Sequence, residues 1–360
     1  MRSSEKLAVA ALACALSGAV LADEPVKPSS EASQPQQTLP ETSRSQRTSP
    51  VDPPAQWLER MNHALTTRNY DGTFSHWQGG RVEMLRIIHR VQDGTVSERL
   101  ASLDGSGREF IRTGANLACY LPDKRTVVVE QRPQRESLVG FPALNDAQSA
   151  SYYDIREVAR TRLNRRDTHV ITVAPRDEYR YGYRLWIDDS TAMPLKTQLC
   201  DAHGRVIEQV VFASLTLSPH IPDSAFKPDV STEGYQWLRN GADPQGVVAA
   251  APAWHAMRLP PGFRMTVRWA QRMPGAAGPV DHLVFTDGVA SVSVFVEQQS
   301  RPAADQGAVA QAATVGSSST FSTVVDGHKV TAVGEVPPDT VRFIASQVKA
   351  QEEPAALRRH

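Results

Sequence analysis

Three cysteines in 360 residues are too few to build a disulfide-stapled scaffold. Nor is there charge of one sign to spare: 39 Lys and Arg face 39 Asp and Glu, without the basic surplus that nucleic-acid binders carry. Long apolar runs are also missing. The one sustained run, Leu7 to Val20, is too short and too rich in small residues to span a bilayer. There is no G-x-S-x-G elbow, H-E-x-x-H pair, P-loop or strand–GxGxxG–helix unit, which removes the commonest hydrolase, protease and nucleotide-binding readings. The ten histidines are scattered, none at metal spacing from another His, Cys or carboxylate, so no catalytic residue, metal or cofactor is expected.

What is present is organised in blocks. Arg2 and Lys6 precede the Leu7–Val20 run, and Val20 and Ala22 are small residues suited to signal peptidase, so 1–22 reads as a secretory signal peptide. A lipoprotein acylated at Cys14 is the alternative, with an apolar stretch of only Leu7 to Ala13. Either way the chain is exported, and Cys119 and Cys200 then face an oxidising compartment. Strand phase places Cys119 with Leu117 and Leu121 but Cys200 with Lys196 and Gln198, so one points inward and the other outward unless a bend intervenes; a disulfide stays open. Residues 23–54 are rich in Pro, Ser and Gln with no apolar period, a disordered tether.

Trp57, Leu58, Met61 and Leu65 predict a helix over 55–68 that packs on a sheet. From Tyr70 the period turns to alternation, with Asp93-Gly94 and Asp104-Gly105 as turns. Strands are expected up to about Glu130 and again over 168–217, with one or two helical turns within Phe141–Asn164. The fold class is mainly β (α+β). A sheet of some ten antiparallel strands over 55–235 must curl, and helices are the obvious filling of its concave side. Residues 236–253 read as an interdomain linker, 254–350 as a smaller antiparallel sheet domain closed by a helix over 339–350, with Asp339 as its N-cap, and 351–360 as a tail. Ala303–Gly316 reads as a mobile loop.

Two clusters stand out. Arg156, Arg160, Arg162, Arg165 and Arg166, with Arg132 and Arg135 upstream, are either a solvated helix end or an anion site whose guanidinium forks suit phosphate. Phe74, Trp77, Phe110, Phe141, Tyr152, Tyr153 and Trp186 belong to the curled-sheet half, as core or as the lining of an apolar groove for an acyl chain or extended peptide. The pairs Asp177-Glu178 and Asp188-Asp189 are accounted for by turn chemistry.

Tyr183-Arg-Leu-Trp-Ile-Asp188, Pro194-Leu-Lys196, Gly204-Arg-Val-Ile-Glu208 and Phe212 resemble the strand–turn–strand signature of the RseB/MucB family. Trp254, Leu259-Pro-Pro-Gly-Phe263 and the run His282-Leu-Val-Phe-Thr-Asp-Gly-Val-Ala-Ser-Val-Ser-Val-Phe-Val-Glu297 resemble it more closely, and the likeness covers about 55–350. The tether is longer than the family pattern requires. The resemblance implies a first domain similar to the lipoprotein carriers LolA and LolB, an incomplete barrel enclosing helices. It also implies a periplasmic, non-enzymatic regulator of an envelope-stress sigma factor. Such a protein binds the periplasmic part of a membrane-spanning anti-sigma factor (RseA/MucA type), shields it from regulated proteolysis, and is displaced by lipopolysaccharide or another mislocalised acyl lipid. No nucleic-acid partner is implied, and a homodimer is one arrangement open to it. The first domain alone also fits a periplasmic lipid or lipoprotein carrier. By chemistry, Arg162, Arg165 and Arg166 are candidates for lipid phosphates and Phe141 and Trp186 for the apolar cavity, while Trp254, Phe263, His282 and Phe285 are candidates for the partner-binding side of the second domain.

Overall fold

The computed structural model describes residues 53–131, 138–139, 151–218, 220–240, 254–272, 278–298 and 310–350. The expected signal peptide, nearly all of the tether, Arg132, Arg135, Phe141, linker residues 241–253 and the tail 351–360 lie outside them.

The first lobe opens with α1 (Pro54–Thr67), one residue ahead of the expected start because Pro54 serves as the first helical position. Twelve strands follow: β1 (Tyr70–Gln78), β2 (Arg81–Gln92), β3 (Thr95–Ser102), β4 (Glu109–Thr113), β5 (Asn116–Leu121), β6 (Thr126–Gln131), β7 (Tyr153–Leu163), β8 (Arg166–Pro175), β9 (Gly182–Asp188), β10 (Pro194–Cys200), β11 (Val206–Leu217) and β12 (Gln236–Asn240). They form one sheet in the order β12-β6-β5-β4-β3-β2-β1-β11-β10-β9-β8-β7, open at both edges. Helix α1 packs against both β2 and β7. In a flat sheet those strands would lie about 29 Å apart at ~4.8 Å per strand, more than the ~21 Å length of a 14-residue helix. The sheet therefore wraps around α1, whose Trp57, Leu58, Met61, Ala64 and Leu65 are buried. This is the expected curled, incomplete barrel, with one α-helix rather than several among the described residues of this lobe.

Three local expectations are corrected. Residues 153–163 are strand, not helical turns: Asn164 and Arg165 both have positive φ and make a tight hairpin that commits β7 to pairing with β8. Gln236–Asn240, expected in the linker, pairs parallel with β6, placing Trp237 and Leu238 on the sheet edge. Cys119 and Cys200 are both buried and neither is in a disulfide, so the outward phase expected for Cys200 does not expose it.

The second lobe contains β13 (Trp254–Ala256), β14 (Arg264–Arg272), β15 (Pro279–Thr286), β16 (Ser291–Gln298), β17 (Gln311–Val315), β18 (Ser318–Val325), β19 (His328–Gly334), α2 (Pro338–Gln347) and β20 (Val348–Ala350). A six-stranded antiparallel sheet, ordered β14-β15-β16-β19-β18-β17, carries α2 on one face. Leu283, Phe285, Val292, Val294, Val330 and Ala332 alternate onto that face and meet Val341, Ile344 and Ala345. Residues 311–315 of the expected mobile loop are an exposed edge strand. At α2 the helix begins on Pro338, so Asp339 lies inside the first turn, 3.1 Å from Arg342, rather than capping it.

Candidate functional site

The two lobes meet through side chains from the β8–β9 connection. Asp177 turns that loop by accepting the Tyr179 backbone N–H at 3.0 Å and grips the Arg180 guanidinium from two nitrogens at 2.9 Å each. Arg180 then crosses to the second lobe, where Nη1 donates to Asp287 Oδ2 and Nη2 to the Pro261 carbonyl, both at 2.5 Å. The Tyr153 hydroxyl donates to the same Asp287 oxygen at 3.0 Å. The other oxygen, Oδ1, accepts the Val289 and Ala290 N–H groups of the Asp-Gly turn at 2.8 and 2.7 Å. The Arg180 and Asp287 side chains have no solvent exposure, and the rings of Tyr152, Tyr153 and Phe263 surround the guanidinium at 5.1–5.6 Å. Burial, with Asp287 beside it, pushes the Tyr153 phenol far above its ordinary value, so it acts as a donor at all relevant pH. Removing one partner of such a buried pair costs about 3–5 kcal/mol. Thr340 Oγ1 also donates to the Tyr179 carbonyl at 2.9 Å, and Tyr179 packs on Phe343.

A second junction lies on β1 and β11. Glu208 receives His76 Nε2 at 2.9 Å, Gln78 Nε2 at 3.0 Å and, from the second lobe, the buried Ser317 hydroxyl at 2.8 Å. Burial opposes its ionisation, but the bonds from His76, Ser317 and Gln78 win and hold the carboxyl below its ordinary value.

The concave face also carries an apolar row. Across the register Ile87, Leu100, Phe110, Cys119, Val128 and Leu238 stand directly opposite one another, on the same face as His89, which bonds the Arg68 carbonyl at the end of α1. The row runs from the buried Ile87 to the edge strand, where Leu238 is 42 % exposed.

The structure separates the residues singled out from sequence. Arg162 is exposed but pairs with Asp167 at 3.2 Å, Arg165 forms the hairpin turn at φ 65°, and Arg166 donates to the Leu215 carbonyl at 3.1 Å and lies 3.5 Å from Asp188. Arg156 and Arg160 are likewise paired, with Asp154 and Glu157. Trp186 lies on the face of β9 opposite Leu185 and Ile187, turned away from α1, with the Lys196 ammonium 4.5 Å over its ring. Trp254 and Phe285 are core residues of the second lobe. Phe263 joins the Arg180 junction. His282 lies on the sheet face opposite α2, stacked on Phe295 at 4.4 Å and edge-on to Trp269 at 4.6 Å. Arg180, Asp287, Glu208 and Ser317 escaped sequence reasoning. The turn that follows Asp287 accounts for one of its oxygens, and nothing local announces the partner of the other.

The comparisons with known proteins bear on this two-lobed arrangement. The model of the MucB/RseB N-terminal domain matches residues 53–230, and that of the MucB/RseB C-terminal domain matches 248–349. The chain belongs to the MucB/RseB family. The sigma factor AlgU regulatory protein MucB of Pseudomonas aeruginosa is 31% identical over 304 residues, covering 82% of this chain and 90% of MucB. Among solved structures, the Pseudomonas aeruginosa MucA/MucB complex matches with a TM-score of 0.64 at 28% identity, over 83% of this chain and 99% of that one. A MucB crystal structure described without MucA gives 0.55 at 28% identity, over 82% and 98%. The two matches thus fall on both lobes and leave 1–52, 231–247 and 350–360 outside them.

Proposed function

We propose that this chain is a periplasmic regulator of an envelope-stress sigma factor: it binds the periplasmic segment of a membrane-spanning anti-sigma factor of the MucA type and acts by binding rather than catalysis. The observation that carries the reading is the match of both lobes to MucB, including a MucB whose structure was solved with MucA. Among the described residues no helix is long and apolar enough to cross a membrane, and no group of three or more His, Cys, Asp or Glu is placed to hold a metal.

On this reading the bound regulator shields the anti-sigma segment from proteolysis, and lipopolysaccharide or another acyl lipid releases it. Support for a lipid ligand is the apolar row that ends on the edge strand at Leu238, which is 42 % exposed. Release then requires the lipid to bind the free form better than the complexed form. Titration of the mature chain with the periplasmic segment of its own anti-sigma factor tests the reading. Micromolar or tighter binding that lipid reverses is expected, with protection of the segment from its protease lost in parallel. Absence of binding at micromolar concentration would overturn the regulator, and binding that lipid leaves untouched would overturn the release step.

A further inference from the structure

Among the described residues, two polar junctions join the lobes at separate places, Arg180–Asp287–Tyr153 and Glu208–Ser317 with His76 and Gln78. At each, a glycine of the second lobe sits where a Cβ would meet a side chain of the first. A Cβ on Gly262, at φ +81°, would stand 2.4 Å from the Tyr152 ring, and one on Gly316, at φ +60°, would stand 2.2 Å from the Gln78 side chain. The chain as a whole superposes better on MucB complexed with MucA, TM-score 0.64, than on MucB described without it, 0.55, with identity 28% in both and coverage of this chain 83% and 82%.

We infer that the two junctions form an interlobe clasp that holds this chain in its partner-competent arrangement before the partner arrives. Arg180, Asp287, Tyr153 and Gly262 are then positioning residues for partner binding, acting through lobe geometry and not through contact with the ligand. The affinity consequence rests on the anti-sigma reading above; the geometric one does not. A clasp of this kind raises apparent affinity by keeping the competent population high, and loosening it reduces binding by the fraction lost.

The test uses the full mature chain with spin labels on Val158→Cys and Val315→Cys, exposed positions on β7 and β17. Cys119 and Cys200 are buried and do not compete for label. The clasp predicts one narrow interlobe distance without partner, and a broadened or lengthened distribution in Asp287→Asn and in Gly262→Ala. The same variants should bind the synthetic anti-sigma segment at least about tenfold more weakly. Gly262→Ala keeps every polar partner and wedges Tyr152, so it carries the test if Asp287→Asn does not fold. Distributions identical to the parent in both variants would overturn the clasp, as would wider distributions with unchanged affinity. If the parent bound no segment at all, the regulator reading would fail while the distances still decided the clasp.

Discussion

An imidazole held between two aromatic rings gains contact and loses water. Neither ring nitrogen of His282 has a hydrogen-bond partner among the described residues, and burial alone pushes its pKa down from 6.5 to about 4. The neutral ring is therefore the one this sheet face accepts. Between pH 6.5 and 4 the unfolded chain takes up a proton that the folded chain refuses, so stability falls as pH drops through that window. By pH 5 the loss should be about 1–2 kcal/mol. In His282→Phe, which keeps the stack between Trp269 and Phe295, denaturant titrations at pH 7 and pH 5 should lose that difference; an unchanged pH dependence would refute the assignment. His282 was expected on the partner-binding side of the second lobe; its place between Trp269 and Phe295 comes from the pairing of β15 with β14 and β16, which the local sequence does not reveal. Asp287 shows the same limit. Its buried pairing is with a residue 107 positions away, which nothing local announces.

At the scale of elements, α1 is the filling that lets a twelve-stranded sheet curl without collapsing. Met61 is fully buried at its centre. Met61→Ala should cost about 2–4 kcal/mol, because the rigid wall of strands on one side and the helix on the other leave little room to close the cavity. Alanine's better helix propensity recovers only a few tenths. Chemical denaturation would measure this, and a loss under about 1 kcal/mol would mean that the concave side relaxes around the helix. This helix was legible because its apolar residues keep the 3.6 period without interruption. β7 was not: its burial pattern is mostly exposed, so no period-2 alternation marks it, and its strand state comes from β8 and the Asn164-Arg165 turn. β12 was missed because a five-residue edge strand beside proline- and glycine-rich sequence reads as linker, and its parallel pairing to β6 is a long-range choice.

The whole molecule couples two cores that do not merge. The second lobe's apolar cluster runs from Trp254 to Val348 and takes no residue from the first lobe. Among the described residues the junctions at Asp287 and Glu208 are polar, and a polar junction couples strongly only while its buried charges stay paired. Division into two lobes could be read from sequence because each lobe's strands pair within its own segment. The coupling could not, since it links residues on connections and turns whose local roles are already satisfied. The expected consequence is a change in cooperativity. In the parent chain, thermal unfolding followed by calorimetry and by tryptophan fluorescence should give coincident transitions. In Asp287→Asn the charge on Arg180 loses its partner in the second lobe, and the coupling falls below what is needed to melt both cores together. Two separated transitions should then appear, the lower from the second lobe, whose smaller core buries a smaller fraction of its surface. A single transition merely shifted to lower temperature would mean that the lobes are fused by contacts other than this pair, and that the junction stabilises the fold without setting its geometry.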